Sequence, residues 1–422
     1  MARQMKESGI EWIGMIPADW NIVRIGTQYT ERKTKVSDTE YPPLSVTMKG
    51  IVPQLATAAK TDAHDDRKMV CKGDFAINSR SDRRGSCGIS AYDGSVSLIN
   101  TILCPRDEMN PEYYDWLFHS SMFSDEFYKW GHGIVDDLWT TNWQDMKRIF
   151  IPEPALEEQA RIAEYLNKMC AEIDAVISKT KATIEEYKKL KQSIITNAVT
   201  KGLRDNRQMR KSGIEWIGDI PSDWMFLFLK YVTNFQEGPG IMGNDFRNEG
   251  IPLIRISGMK GNYVTRDGCN FLEQEMVEKK WKHFKLLKDD VVISASASMG
   301  IAALVDEEAE GCIPYTGLIR FPISDKLDKL FLRYYLISNE YMEQINVQKT
   351  GTAIQHYGPT HIEKVKIALP PLDEQREIAD YLDKKCAEID TLIEKKIALL
   401  AEMEAYKKSV IYEYVTGKKE VL

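Results

Sequence analysis

The sequence predicts an α+β protein: two mixed α/β domains separated by two long antiparallel helices, an intramolecular coiled coil with pseudo-two-fold symmetry. Three observations carry this. A short tryptophan-containing frame occurs twice. Each globular stretch is followed by a segment of about 45 residues with heptad-like apolar spacing. Elsewhere, short apolar runs broken by glycine read as strands and turns. The expected divisions are a first domain at 1–153, a long helix at 154–203, a second domain at 204–370 and a second long helix at 371–422.

The repeat comes first. Lys6 to Trp20 reads KESGIEWIGMIPADW and Lys211 to Trp224 reads KSGIEWIGDIPSDW, aligned without gaps from Gly9 and Gly213 at an offset of 204. A second pair joins Pro154–Gly202 to Pro370–Lys418 at an offset of 216. There Glu158-Gln159 matches Glu374-Gln375, and Cys170–Asp174 (CAEID) matches Cys386–Asp390. Such self-similarity marks a duplicated structural unit. The stretches between, Asn21–Glu153 and Met225–Leu369, look unlike each other. A constant frame implies a shared geometric role, and differing fillings imply separate tasks.

The long helices follow from spacing. Apolar or small residues stand at Ile162, Leu166, Met169, Ile173, Val176, Thr180, Ile184, Tyr187, Leu190, Ile194 and Ala198. The second copy has Ile378, Leu382, Ile389, Leu392, Leu399, Met403, Tyr406, Val410 and Tyr414, interrupted by Lys385 and Lys396. Pro152 and Pro154, then Pro370 and Pro371, mark the starts, and Gly202 and Gly417 the stops. Each helix then reaches roughly 65 Å at 1.5 Å per residue. The matched stripes favour an internal antiparallel pair over an intermolecular dimerisation coiled coil. The repeated Trp12/Trp216 and Trp20/Trp224 segments are expected to pack near the helix ends and set each domain's angle. A partner-docking surface is the alternative there.

Composition narrows the class. With 43% hydrophobic and 28% charged residues among 422, the chain reads as globular with real cores. No apolar run approaches the roughly 20 residues that span a bilayer, and Met1–Glu7 lacks a signal-peptide core. The expected location is the cytoplasm, with no membrane partner. Seven cysteines without a Cys-x-x-Cys pair argue against a disulfide framework or a zinc site. The six histidines show no metal spacing. The net charge of −7 divides into −4, +1, −1 and −3 over the four segments, so any nucleic-acid face must be a local cluster. Enzyme motifs fail on inspection. Asn110-Pro111-Glu112-Tyr113 has glutamate where an adenine methyltransferase needs a second proline, and reads as a helix start. Gly238–Gly243 fits G-x-G-x-x-G, but Gly250 and Pro252 follow where a nucleotide loop needs a helix. No Walker A string occurs.

Gly9–Gly14 with Ile16-Pro17 and Trp20, the copy Gly213–Trp224, Pro370–Gln375 leading into Ile378, and the helix ends Ala198-Val199-Thr200 and Val415–Lys418 together resemble the specificity subunit of type I restriction–modification systems. The resemblance covers essentially the whole chain. Only Pro152-Glu153-Pro154-Ala155-Leu156 departs from the usual Pro-Pro-Leu. It implies two target-recognition domains, each reading one half of a bipartite, asymmetric site in double-stranded DNA, with the helices setting the unread spacer. It also implies two methyltransferase (modification) subunits as partners, which use S-adenosylmethionine, and restriction subunits that can join and cleave DNA using ATP and Mg. This chain itself is then non-catalytic and holds no cofactor. The rival reading is a coiled-coil scaffold that joins proteins without touching DNA.

Candidate contacts follow from residue type. Asp74–Asn78 reads as a strand running into Ser79–Ser86, where Arg80, Arg83 and Arg84 stand among Ser79, Ser81 and glycine. This suits phosphate contact or bidentate readout of guanine; a solvated loop is the alternative. The corresponding strand Asp290–Ser294 runs into Ala295–Gly300, with Ser296 and Ser298 but no arginine, so the two loops should favour different bases. A second candidate closes each domain: Gly351–Tyr357, with Thr352, Gln355 (suited to adenine), His356 and Tyr357; and Trp130–Trp139 with Thr140 and Asn142, where core packing of the tryptophans is the alternative. Lys49, Arg255, Ser257 and Lys260 complete the set.

Overall fold

The computed structural model describes residues 3–55, 64–106, 108–133, 139–214, 217–296, 300–348 and 356–421. The chain forms two compact units, Met1–Lys181 with Ile397–Leu422, and Ala182–Lys396. The long helices, Leu156–Lys201 and Leu372–Val415, are each divided between the two units. Each unit takes the first half of one helix and the second half of the other. The reason is burial: Ile162, Leu166 and Cys170 share a core with Trp12, Trp20 and Val415 in the first unit. Ile378, Leu382 and Cys386 share one with Trp224, Ala198 and Val199 in the second.

In the first unit a four-stranded antiparallel sheet runs in the order Cys87–Ile89, Phe75–Asn78, Asn100–Pro105, Tyr29–Glu31. Two helices follow, Pro111–His119 and Ser121–Lys129, capped by the side chains of Asn110 and Ser120. The strand pair Asn21–Arg24 and Phe150–Glu153 closes the domain beside the long helix. The second unit repeats the plan. Its sheet runs Ala302–Leu304, Val291–Ser294, Leu318–Phe321, Gln236–Glu237. Its helices Lys329–Leu336 and Asn339–Val347 are capped by Asp328 and Ser338, and Met225–Phe228 pairs with Lys366–Leu369. The two fillings thus differ in sequence while sharing a topology. They diverge in what is added. The first unit carries a small sheet of Gly94–Val96, Arg67–Val70 and Lys35–Val36 and the hairpin Leu44–Thr47/Gly50–Pro53. The second carries a four-stranded layer of Phe246–Arg247, Asn270–Leu272, Ile251–Ile254 and Ile313–Pro314.

The repeated motifs resolve into one latch, built twice. Glu158 accepts from Trp20 Nε1 at 2.8 Å and from Arg3 at 2.5 and 3.0 Å, while the Arg3 guanidinium lies 5.4 Å from the Trp20 ring. Glu374 accepts from Trp224 Nε1 at 3.1 Å and from both terminal nitrogens of Arg207, which lies 5.4 Å from the Trp224 ring. Burial opposes ionisation of Glu374, but the Arg207 and Trp224 hydrogen bonds outweigh it and hold the carboxyl below its ordinary range. The neighbouring glutamines fasten the domain helices. Gln159 Oε1 accepts from Asn110 N at 2.9 Å, and Gln375 Oε1 from Asp328 N at 2.8 Å. Their amides donate to Pro154 O and Pro370 O.

The long helices pack together antiparallel, and the expected stripe lies in the seam at most positions, with four exceptions. Val176, Leu190, Leu392 and Tyr406 are 43–48% exposed. From Ile173 the buried and half-buried path continues through Ile177, Thr180, Ile184 and Tyr187 to Lys191, and in the copy from Ile389 through Ile393 to Lys407. The lysines belong because their stems lie in the seam while their ammonium groups reach the facing helix. Lys407 donates to Asp174 at 2.7 Å in the first unit, and Lys191 to Asp390 at 2.6–2.7 Å in the second. These are equivalent positions at the 216 offset, so the aspartate of each CAEID motif receives the lysine of the other helix. Lys385 lies off the seam, paired with Glu388 at 2.9 Å, and Cys386 is buried in its place.

Two predictions follow from burial. Glu374→Ala leaves the Arg207 charge and the Trp224 indole without their acceptor. Urea unfolding should show a loss of about 3–5 kcal/mol, and Arg207→Ala/Glu374→Ala less than the sum of the single changes. Glu340 is 6% exposed, and burial pushes its carboxyl up to about 7 from 4.5, against the hydrogen bond from Gln344. A raised acid is stabilising relative to its ionised form below the unfolded pKa, and that stability is lost as pH rises through about 7. Glu340→Gln should therefore leave thermal stability near that of wild type at pH 4.5 and raise it at pH 8, by up to about 3 kcal/mol.

Candidate nucleic-acid interface

The strand Phe75–Asn78 begins at Asp74, a 3% exposed carboxylate that accepts from Arg32 at 2.7 Å and from Cys71 N at 2.8 Å. All four strand residues are buried, which delivers the chain rigidly to Ser79. The loop then makes one 3-10 turn, Ser81–Arg83, and leaves through Gly85 at φ +74°. Its main chain is clamped to the second candidate segment. Ser81 N donates to Trp139 O and Thr141 N to Ser79 O, each at 2.9 Å, and Arg80 bridges Thr140. The structure thus brings the arginine loop and the Thr140 segment together.

Each arginine already has a carboxylate. Arg80 and Arg83 share Asp82 at 3.2 and 3.7 Å. Arg84 reaches Asp125 at 3.1 Å and lies 5.0 Å from the Tyr128 ring. Ser81, Arg84, Asp125, Tyr128, Lys129 and Trp139 line a shallow cleft. Lys49 is exposed at the tip of its hairpin, whose Gly50 crosses the outgoing strand so closely that a Cβ on Gly88 would lie 2.8 Å from the Gly50 Cα. One expectation is corrected: Ser79 is buried, its hydroxyl bonded to Thr101 at 2.9 Å. Asn142 is exposed and caps a short helix, its side chain accepting from Gln144 N and Asp145 N.

The second unit shows the same convergence with different side chains. Asp290 is 3% exposed and receives Arg320 and Leu287 N, anchoring the strand Val291–Ser294. Beyond it, Ser296 bridges His356 and Tyr357 N donates to Ala295 O at 3.0 Å. His356 stands 3.4 Å from Glu237. Tyr357 is corrected to a core residue at 1% exposure. Ser298, Thr352 and Gln355 lie outside the described residues. The turn through Gly317, at φ +86°, packs on Ser296 and leads back to Tyr315. Arg255 stacks over that ring at 4.1 Å and bonds Asn270 Oδ1 at 3.1 Å. Ser257 donates to Asp267 O, and Lys260 is exposed nearby in sequence. Gly238–Gly243 runs into a 3-10 turn and a strand, and Gly238 is needed because any Cβ there would collide with Pro314 O.

Sequence reasoning missed a basic turn, Val277–Lys288, with five lysines against one glutamate. Its run KKWKHFK was the available signal, hidden by averaging charge over the whole domain. Among the described residues, no helix is long and apolar enough to cross a membrane.

Residues 221–402 match the type I restriction modification DNA specificity domain. That match lies in the second half of the chain, and the similarity to type I specificity subunits extends over nearly its whole length. It is 27% identical to the type I restriction enzyme MjaVIII specificity subunit of Methanocaldococcus jannaschii, over 96% of this chain and 94% of that one. Against the EcoKI specificity subunit of Escherichia coli the identity is 23%, over 64% and 58%. The fold is shared with a chain from a solved type I R-M system (TM-score 0.74, 17% identity, 96% and 99% covered). It is also shared with the HsdS subunit from Thermoanaerobacter tengcongensis (TM-score 0.51, 19% identity, 96% and 98% covered).

Gly317→Ala tests the clamp in the second unit. The added methyl meets Ser296 Oγ and the positive φ becomes strained. The expected cost is about 1–3 kcal/mol, with faster amide exchange at Ala295, which donates to Gly317 O, and at Tyr357. Wild-type exchange at both amides would remove the clamp from the account.

Proposed function

We propose that this chain is the DNA-reading subunit of its complex, each domain recognising one half of a bipartite, asymmetric site. The observation that carries this is the shared convergence with unlike tips. In both domains a buried strand delivers a loop onto a second segment through main-chain bonds, but one presents Arg80, Arg83 and Thr140 and the other Ser296 and His356. Main-chain pairing keeps the platform constant while side chains change the bases read. Arginine supplies a planar fork for guanine O6 and N7, or for phosphate. A hydroxyl and imidazole pair offers a different hydrogen-bonding pattern and favours other edges. The long helices of 46 and 44 residues set the unread spacer and offer docking faces to two modification subunits. Adenine methylation with S-adenosylmethionine, and cleavage with ATP and Mg where restriction subunits join, belong to those partners. This chain contributes position.

The test uses the full chain with its modification subunit and maps methylated adenines on genomic DNA. Arg80→Ala/Arg83→Ala should relax the half-site read by the first domain, at about 1–3 kcal/mol per lost base contact, and leave the other half-site unchanged. A heptad inserted into both long helices adds about 10 Å and should lengthen the spacer by about three base pairs at the 3.4 Å rise. Binding without sequence preference at low salt would instead support a protein-joining scaffold.

A further inference from the structure

The loop that carries three arginines in the first domain carries none in the second: Ala295–Gly300 has no cation at all. The second domain has its own concentration of positive charge elsewhere. Between the strands Asn270–Leu272 and Val291–Ser294, the chain makes a π-helical turn at Val277–Trp281 and a 3-10 turn at Lys282–Phe284. Widened helical turns of this kind recur at functional sites. The turn is anchored by its apolar residues. Val277 is fully buried in a cluster with Ile241, Leu253, Leu272 and Ile313, against which Trp281 and Phe284 pack. Glu278, Lys279, Lys280, Lys282 and His283 are left exposed.

The ion pairing within the turn is one-sided. Glu278 takes both Lys282, at 3.6 Å, and Lys285. Among the described residues Lys279 and Lys280 have no carboxylate partner. The same apolar cluster carries Phe246 and Tyr315 on its rim. Arg255 lies over both of those rings, at 5.9 and 4.1 Å, and the chain from Tyr315 passes through Gly317 to Ser296. The basic turn, the stacked arginine and the reading loop are therefore linked through one packed layer of the second domain.

We propose that Lys279, Lys280 and Lys282 form the phosphate anchor of the second domain, gripping the backbone of duplex DNA while the Ser296–His356 loop meets base edges. The proposal rests on the DNA-reading function above. It assigns to this turn the electrostatic share of binding that the arginine loop can supply in the first domain. Ammonium groups on flexible stems suit this role, since they meet phosphates as point charges and carry no base code.

The experiment measures binding of the full chain with its modification subunit to cognate and unrelated duplexes between 50 and 300 mM salt. For Lys279→Ala/Lys280→Ala/Lys282→Ala the slope of log K against log salt should fall by about 2–3, because each phosphate contact contributes about 0.9. Affinity should drop about 10–100-fold alike for both duplexes, with methylated sequences unchanged. The triple Lys→Arg variant should restore slope and affinity, separating charge from any packing effect. Selective binding by wild type with an unchanged slope in the alanine variant overturns the anchor alone. Loss of the modification subunit from the alanine variant, with DNA binding per assembled complex intact, also overturns it and assigns the turn to protein contact. Unselective binding by wild type itself overturns the underlying function.

Discussion

A buried or half-buried carboxylate survives only if its charge is answered on several sides. In each unit the glutamate on the first turn of the long helix meets that condition through an indole N–H and an arginine fork, Trp20 with Arg3 on Glu158 and Trp224 with Arg207 on Glu374. The arginine also lies over the indole ring, so the three groups constrain one another. The next residue extends the constraint. Gln159 and Gln375 use the acceptor of their amide on the backbone before a domain helix and the donors on the start of their own helix. Two adjacent side chains thereby tie together the N-terminal frame, the paired domain helices and the long helix. Everything presented at the loops of that unit inherits its orientation from this point.

The same logic explains how unlike sequences hold one topology. Each domain keeps a buried aspartate bonded to an arginine at the base of its central strand, Asp74 with Arg32 and Asp290 with Arg320, although Arg320 lies within a neighbouring strand and the half-buried Arg32 just past the end of another. Each keeps main-chain bonds between the outgoing loop and the segment before the last short helix. Backbone bonds are indifferent to side-chain identity, so the tips can change without moving the platform. Change is confined to the added layers and the loop residues, where it alters chemistry and leaves packing intact.

What could be read in the sequence was local or repeated. The helix stops at Gly202 and Gly417 need positive φ and have it, and Asn110 caps a helix as its place before Pro111 implied. The strands after Asp74 and Asp290 stand within one residue of expectation. The apolar stripe marks most of the seam and misses it at Val176, Leu190, Leu392 and Tyr406, because an apolar count passes over lysine. Lys191 and Lys407 belong to the seam only through aspartates about 200 residues away, a pairing no local window contains. Tyr357 looked like a reading residue because polar neighbours surround it in sequence; its burial is decided by Tyr341, whose ring packs against it 6.4 Å away. The Glu-Gln repeat was visible as a repeat, but its partners Trp20 and Trp224 lie about 140–150 residues upstream.

The weak overall charge then ceases to be an objection to DNA binding. At physiological ionic strength a charge is felt over about 8 Å, so a phosphate responds to the nearest cluster and scarcely to the chain's net −7. In the first domain that cluster is partly masked, since Asp82 and Asp125 hold all three arginines. Exposed ion pairs of this kind are worth only about 0–1 kcal/mol, whereas a bidentate arginine–guanine contact discriminates by about 1–3 kcal/mol. Releasing the aspartates therefore costs less than a correct base returns, and about as much as a poor contact gains. Masking subtracts the same cost from a good contact and at most that cost from a poor one, so it weakens binding without widening the gap between them. Under the proposed function a net gain survives only where the arginine contact is good, and a net charge of −7 is compatible with that.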